Sequence, residues 1–168
     1  MSADQLAEIV SEIVRIEQPI HEEEVARRLA SACGLQRAGS RIQEAALMGL
    51  RAAQTRGAVL SDGPFWRLRN PAETPPRTRS ALPSGATVRK AAMIAPAELA
   101  SAAEIVLRQN QALEAPELIV ETGRALGFTR LTPELSTAIS GAVDARLRPD
   151  LEIDHLNRLR LAPPALGR

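Results

Sequence analysis

The residues of this chain best equipped for chemistry are His21, the carboxylate run Glu22-Glu23-Glu24, the single Cys33 and a crowd of arginines in the middle third. A histidine beside three carboxylates suggests a catalytic base or a metal ligand. A metal site needs His, Cys or carboxylate ligands that converge on one point, and no second His or Cys lies near His21 in sequence. Adjacent helical residues point in different directions, so the three glutamates do not converge. Three carboxylates in a first helical turn instead suit the positive end of a helix dipole, and His21 stands where the helix cap belongs. There is no GxSxG, HExxH or glycine-rich phosphate cradle, and no GxxxxGK[ST] loop. The expectation is a chain that is not itself an enzyme, with no catalytic residues, no metal and no cofactor.

The arginines point to a different chemistry, contact with phosphate. Residues 1–24 carry seven acids against Arg15, and residues 25–90 carry eleven arginines and Lys90 against Glu44, Asp62 and Glu73. Residues 91–168 carry eight arginines against ten acids, so a net +1 hides a strongly basic middle. A basic stretch of this kind is the electrostatic footprint of nucleic-acid binding. The aromatics are only Phe65, Trp66 and Phe128, too few for the stacking platforms of a single-strand binder. One cysteine excludes a disulfide framework. The chain shows no signal-like apolar run and no stretch approaching a membrane span, so a cytoplasmic location is expected.

The elements that position these residues follow from hydrophobic spacing. Leu6, Ile9, Val10, Ile13, Val14 and Ile16 form the stripe of a first helix over residues 4–17, capped by Ser2 or Asp4 and ended by Gln18-Pro19. A second helix runs from Glu22 through Val25, Leu29, Ala32 and Cys33, with Cys33 as a small core residue, and Gly34 stops it. A third begins near Ser40, with Ile42, Ala46, Gly49, Leu50 and Ala53 inward. Glu44, Leu47, Met48, Arg51 and Thr55 face outward, with Arg41 at its entrance. Gly57 ends it. Ala58–Leu60 and Phe65–Leu68 then read as two strands around a Ser61–Pro64 turn, with Phe65 or Trp66 covering the core and Arg67 and Arg69 outward. The order is that of a winged-helix domain. Residues 71–94 read as a Pro/Arg-rich linker, extended and exposed by composition over 70–85, carrying Arg77 and Arg79.

A shift of 93 residues superposes the rest of the chain on this first part without a gap. Leu6 falls on Leu99, Arg15 on Arg108, Glu24 on Glu117, Gly34 on Gly127, Arg37 on Arg130, and Arg67-Leu68 on Arg160-Leu161. Pro96, Pro116 and Pro133 stand where first helical residues belong. Residues 151–154 and 156–161 would form the second ribbon, joined by something other than a two-residue turn. The fold class expected is therefore mostly α with small β-ribbons (α+β), as tandem winged-helix or helix-turn-helix repeats. The domains are a first at 1–70, the linker at 71–94, a second, degenerate one at 95–162, and a tail at 163–168. The copies diverge on the outer face of the third helix: Arg41 becomes Glu134, Arg51 becomes Asp144 and Glu44 becomes Thr137.

The segments IHEEEVARRLASACGL, RAGSRIQEAALMGLRAAQTRGAV and GPFWRL resemble a domain of unknown function found near the C-terminus of large bacterial superfamily 1 helicase-like proteins. The resemblance is clearest over residues 9–70, and ELIVETGRALGFTRLTPELSTAISGAV resembles its second part. It implies an accessory role beside a helicase or nuclease core, in cis or in trans, and carries no enzymatic residues with it.

These observations lead to the expectation of a non-catalytic nucleic-acid binder, for duplex DNA above all. Arg41, Arg51, Arg56, Arg67 and Arg69, with Arg77 and Arg79 on the linker, are its phosphate contacts. The alternative is a protein-docking module using Leu47 and Met48, which sit on a face where a DNA reader is more usually polar. A structural terminus formed by the two copies is a third possibility.

Overall fold

The computed structural model describes residues 2–69, 76–82 and 86–163. The expected linker residues 70–75 and 83–85, and the tail beyond residue 163, lie outside the described residues. The chain is mostly helical with small antiparallel sheets, an α+β fold, in two compact units, residues 1–74 and 75–168. No helix among the described residues is long and apolar enough to cross a membrane.

In the first unit α1 spans Ala3–Glu17. It starts in a capping box: the Ser2 hydroxyl accepts from the Gln5 amide at 3.2 Å, and the Ser2 amide donates to Gln5 Oε1 at 2.9 Å, which satisfies two free N–H groups of the first turn. Its buried stripe is Leu6, Ala7, Val10 and Val14. Ile16 does not join it and is 65% exposed, because two residues beyond Val14 is more than half a helical turn away from that stripe. A two-residue strand, β1 (Ile20–His21), leads into α2 (Glu22–Ala32), and a tight turn leads on to α3 (Ser40–Thr55). The ribbon is β2 (Val59–Asp62) and β3 (Phe65–Leu68). The sheet order is β1-β3-β2, all antiparallel, with Ile20 opposite Trp66 and His21 opposite Phe65.

Alternation along β3 sends its two aromatics to different faces. Trp66 closes the core formed by Leu6, Val10, Val14, Val25, Leu29, Ala46, Leu50 and Val59. Phe65 is buried as well, against the edge of the His21 ring, with centroids 5.1 Å apart. The α1–α3 crossing is close because residue 49 has no side chain: a Cβ there would lie 3.0 Å from the Leu6 carbonyl carbon and oxygen. Cys33 is exposed, not a core residue. It caps the C-terminal end of α2 next to the glycine stop, one step past the last helical residue, Ala32, which is exposed too because the buried stripe ends at Ala30.

The second unit is built from α4 (Pro96–Asn110), α5 (Ala115–Ala125) and α6 (Pro133–Ala142). A single π turn, Val143–Leu147, and a 3-10 turn, Arg148–Asp150, extend α6 toward β4 (Leu151–Ile153) and β5 (Leu159–Leu161). Its own core gathers Leu99, Val106, Leu107, Leu118, Leu126, Phe128, Leu135, Ile139 and Leu159.

Several positions related by the 93-residue shift are alike in the structure. Ile20 faces Trp66 in the first unit, and Leu113 bridges Leu159 in the second, with amide–carbonyl distances of 3.0 and 2.7 Å. The helix stop is the same in both: Gly34 at φ +72° with the Leu35 amide donating to the Ala30 carbonyl, and Gly127 at φ +85° with the Phe128 amide donating to Gly123. His21 and Glu114, equivalent by the shift, both stand at the N-cap of the next helix, His21 accepting from the Glu23 amide and the Glu114 amide donating to Glu117 Oε2 at 3.2 Å. The correspondence slips by one residue only at the ribbon, where Val59 faces Leu68 but Leu151 faces Leu161. There the two-residue Gly63-Pro64 turn is replaced by a longer loop between Ile153 and Leu159, as the sequence led one to expect. Asp154 organises that loop, accepting from the Leu156 and Arg158 amides at 2.9 Å each and from the Arg158 guanidinium. These donors, the Arg158 amide first, bring its carboxyl down to about 2.

Part of the expected linker belongs to the second unit's fold. Residues 76–82 form a strap across α4 and the α5–α6 turn: the Arg79 amide donates to the Leu126 carbonyl at 2.8 Å, and the Arg79 side chain is buried. Two 3-10 turns, Thr87–Arg89 and Ala91–Met93, follow, and Met93 and Ile94 are buried. The second unit therefore starts well before residue 95.

Candidate nucleic-acid interface

The basic middle of the sequence is partly neutralised by folding. Arg27 pairs with Glu24 and, at 3.4 Å, with Glu23; Arg28 pairs with Glu17 at 2.5 Å and Glu24 at 3.4 Å. The Glu17 carboxylate also holds the Arg28 guanidinium above its ordinary pKa. Arg56, at the end of α3, pairs with Asp4 at the start of α1. Asp4, Glu17, Glu23 and Glu24 thus lie against Arg56, Arg28 and Arg27, and a net charge counted along the chain overstates the positive potential of the surface.

Of the two linker arginines, folding takes Arg79 out of reach of phosphate. Arg79 donates both terminal nitrogens to the Glu98 carboxylate at 3.0 and 2.9 Å, and further to the carbonyls of Val88 and Arg77. Its side chain is 4% exposed and that of Glu98 is 2% exposed, so no phosphate reaches it. Arg77 is half-buried, its amide donating to Glu98 at 3.0 Å and its guanidinium 3.7 Å from the same carboxylate.

What remains of the expected set lies on α3 and the ribbon. Arg41, in the first turn of α3, and Arg51, on its outer face, are exposed and have no carboxylate partner among the described residues. Glu44 lies exposed between them on the same side of the helix. Arg69 is exposed, its Nε donating to the Gly57 carbonyl at 3.0 Å, and its side chain lies across Gly57. Arg67 is half-buried and donates to the Leu68 carbonyl at 3.3 Å. Sequence reasoning passed over Arg37, which is exposed in the α2–α3 turn without a carboxylate partner among the described residues. Its place a few residues before the start of α3 was the available signal. Leu47 is half-buried on the outer side, Met48 is 46% exposed, and Leu35 in the preceding turn is 48% exposed.

The equivalent face of the second unit carries opposite charge. Glu134 and Asp144 are exposed where the first unit has Arg41 and Arg51. Backbone N–H donation at the start of α6 and the Thr132 hydroxyl hold the Glu134 carboxyl below its ordinary value.

His21 accepts from the Glu23 amide through Nδ1 at 3.2 Å. It is a helix cap, as its place in the sequence suggested. No group of three His, Cys, Asp or Glu residues that could hold a metal ion occurs among the described residues.

A family model described as a protein of unknown function (DUF3320) matches residues 1–44, that is α1, β1, α2 and the first turn of α3. No curated protein and no solved structure gives a significant match.

Proposed function

We propose that the first unit is a winged-helix module that binds duplex DNA without acting on it chemically, and that the second is a degenerate copy. The element order helix–strand–helix–helix–strand–strand and the strand order β1-β3-β2 support the winged-helix reading. In such a domain the helix after the tight turn, here α3, enters the major groove while the ribbon lies along the backbone. The observation that carries the binding role is the pair of exposed, acid-free arginines on α3, Arg41 and Arg51. Arg37, Arg67 and Arg69 add contacts around it. Arg56 and Arg79 leave the set because folding gives them carboxylate partners. The resemblance to a domain of helicase-like proteins favours an accessory role, in which this unit holds duplex near a helicase or nuclease core in cis or in trans.

Each phosphate neutralised on B-DNA releases condensed counterions and adds about −0.9 to the slope of log K against log salt. Four or so arginine contacts on α3 and the ribbon therefore predict a slope near −4 for the whole chain on duplex DNA. A fluorescence-anisotropy titration from about 50 to 200 mM salt measures it. A flat dependence, or no binding at the lowest salt, overturns the proposal.

A second reading, protein docking by the same helix, is favoured by one observation. Met48 is 46% exposed on the outer face of α3 with Leu47 beside it, and Leu35 is 48% exposed in the turn before it. A salt-insensitive partner on this face, in place of DNA, is the result that reading predicts.

A further inference from the structure

Asp144, the position that corresponds to Arg51 by the 93-residue shift, lies on the rim of a cleft in the second unit. The cleft opens between the start of α5, the α6 end with its π turn, and the tip of the β4–β5 ribbon, with a volume of about 550 Å³. Its walls are apolar, from Ile119, Val143, Ile153 and Leu156. Ile153 and Leu156 are 53% and 56% exposed, yet they sit on a ribbon whose loop is fixed by Asp154 through the Leu156 and Arg158 amides. Two large aliphatic side chains are thus held out in a set position. The rim is charged, with the carboxylates of Glu114 and Asp144 against the single cation Arg148. The helix wall is the π turn Val143–Leu147 that follows the end of α6.

We infer that this cleft binds an amphipathic helix of a partner protein, one presenting leucine or isoleucine side chains flanked by arginine or lysine. The apolar walls bury the aliphatic side chains, and Glu114 and Asp144 meet the flanking cations. Helix-in-groove recognition uses this division, with apolar anchors for affinity and rim charges for orientation. Phosphate is excluded by the same carboxylates. The site is independent of whatever the first unit binds.

The test uses the whole chain and a labelled synthetic helical peptide with leucines at i, i+3, i+4 and i+7 and arginines between them. A second peptide has glutamates in place of the arginines. The arginine peptide is expected to bind and the glutamate peptide to bind about tenfold more weakly or less. Asp144→Arg and Leu156→Asp are each expected to weaken the arginine peptide by about tenfold. Both residues are exposed, so thermal unfolding should not move. NMR shifts of the Ile153 methyl group during titration should follow the binding curve, and Arg51→Glu should have no effect. The inference fails if the arginine peptide does not bind, if both peptides bind equally, if the cleft variants bind as wild type, or if Arg51→Glu abolishes binding.

Discussion

Replacing Glu98 by alanine is expected to destabilise the second unit by about 3–5 kcal/mol, the cost of leaving one member of a buried ion pair without its partner. Glu98, in the first turn of α4, accepts both terminal nitrogens of Arg79 and the Arg77 amide. Without its carboxylate the Arg79 guanidinium stays buried, with only the Val88 and Arg77 carbonyls as acceptors. Glu98→Gln, which keeps acceptor capacity but not charge, should fall between alanine and wild type. Replacing both partners by Leu and Met should recover most of the loss, because desolvating the pair offsets much of its attraction. The chain supplies a convenient internal control. Its one tryptophan, Trp66, lies in the first unit's core. In urea unfolding, the Glu98→Ala loss should therefore appear in NMR signals of Phe128 and leave the Trp66 fluorescence transition in place. An unchanged stability of the second unit would show that the strap is held by something other than this pair.

Gly127→Ala is expected to cost about 3 kcal/mol, against about 1 kcal/mol for Gly34→Ala at the equivalent place in the first unit. Both glycines have positive φ, +72° and +85°, so both variants strain the backbone by about 1–2 kcal/mol. The surroundings differ. A Cβ at residue 34 meets nothing within 4 Å. A Cβ at residue 127 runs into the strap, closest to the Ser80 amide nitrogen and at 2.7 and 2.9 Å from Thr78 Oγ1 and the Arg79 amide nitrogen. These are mostly backbone atoms and cannot rotate away. The strap must lift, and with it goes the bond from the Arg79 amide to the Leu126 carbonyl. Faster hydrogen exchange at the Arg79 amide is the local sign, and equal losses for the two glycines would refute the account. Since Gly127→Ala and Glu98→Ala disturb one strap, the double variant should lose less than the two single losses combined.

Features set by local spacing were legible in the sequence. The stripes Leu6/Val10/Val14 and Ala46/Leu50/Ala53 and the stops at Gly34 and Gly127 are each determined by residues within a few positions of one another, whereas Ser61 and Asp62, expected in the turn, pair as strand residues with Trp66 and Phe65 and leave Gly63-Pro64 alone as the turn. The 93-residue repeat compares two such local patterns, which is why it predicts the Leu113–Leu159 bridge from Ile20–Trp66. Charge partners were not legible. Asp4 meets Arg56 across 52 positions and Glu98 meets Arg79 across 19, and no periodicity announces either pair. Residues 76–82 look like a solvated tether because composition speaks for backbone preference and not for a carboxylate waiting on another helix. Cys33 was misplaced for a related reason: it follows Leu29 and Ala30 at helical spacing, but the helix ends beneath it.

The division of labour between the two copies is the centre of this account, and one paired measurement tests it most directly. Arg51 and Asp144 stand 93 residues apart on equivalent helices, both exposed and both clear of their cores. Substitutions there act through charge and not through folding. In a salt titration on duplex DNA, Arg51→Glu is predicted to weaken binding and to reduce the salt slope by about one unit. Asp144→Ala is predicted to leave binding unchanged or slightly stronger, because a carboxylate makes no favourable contact with phosphate and its loss removes only an unfavourable charge. Equal losses from both substitutions, with both variants folded, would contradict the account and show that the two copies engage the DNA together.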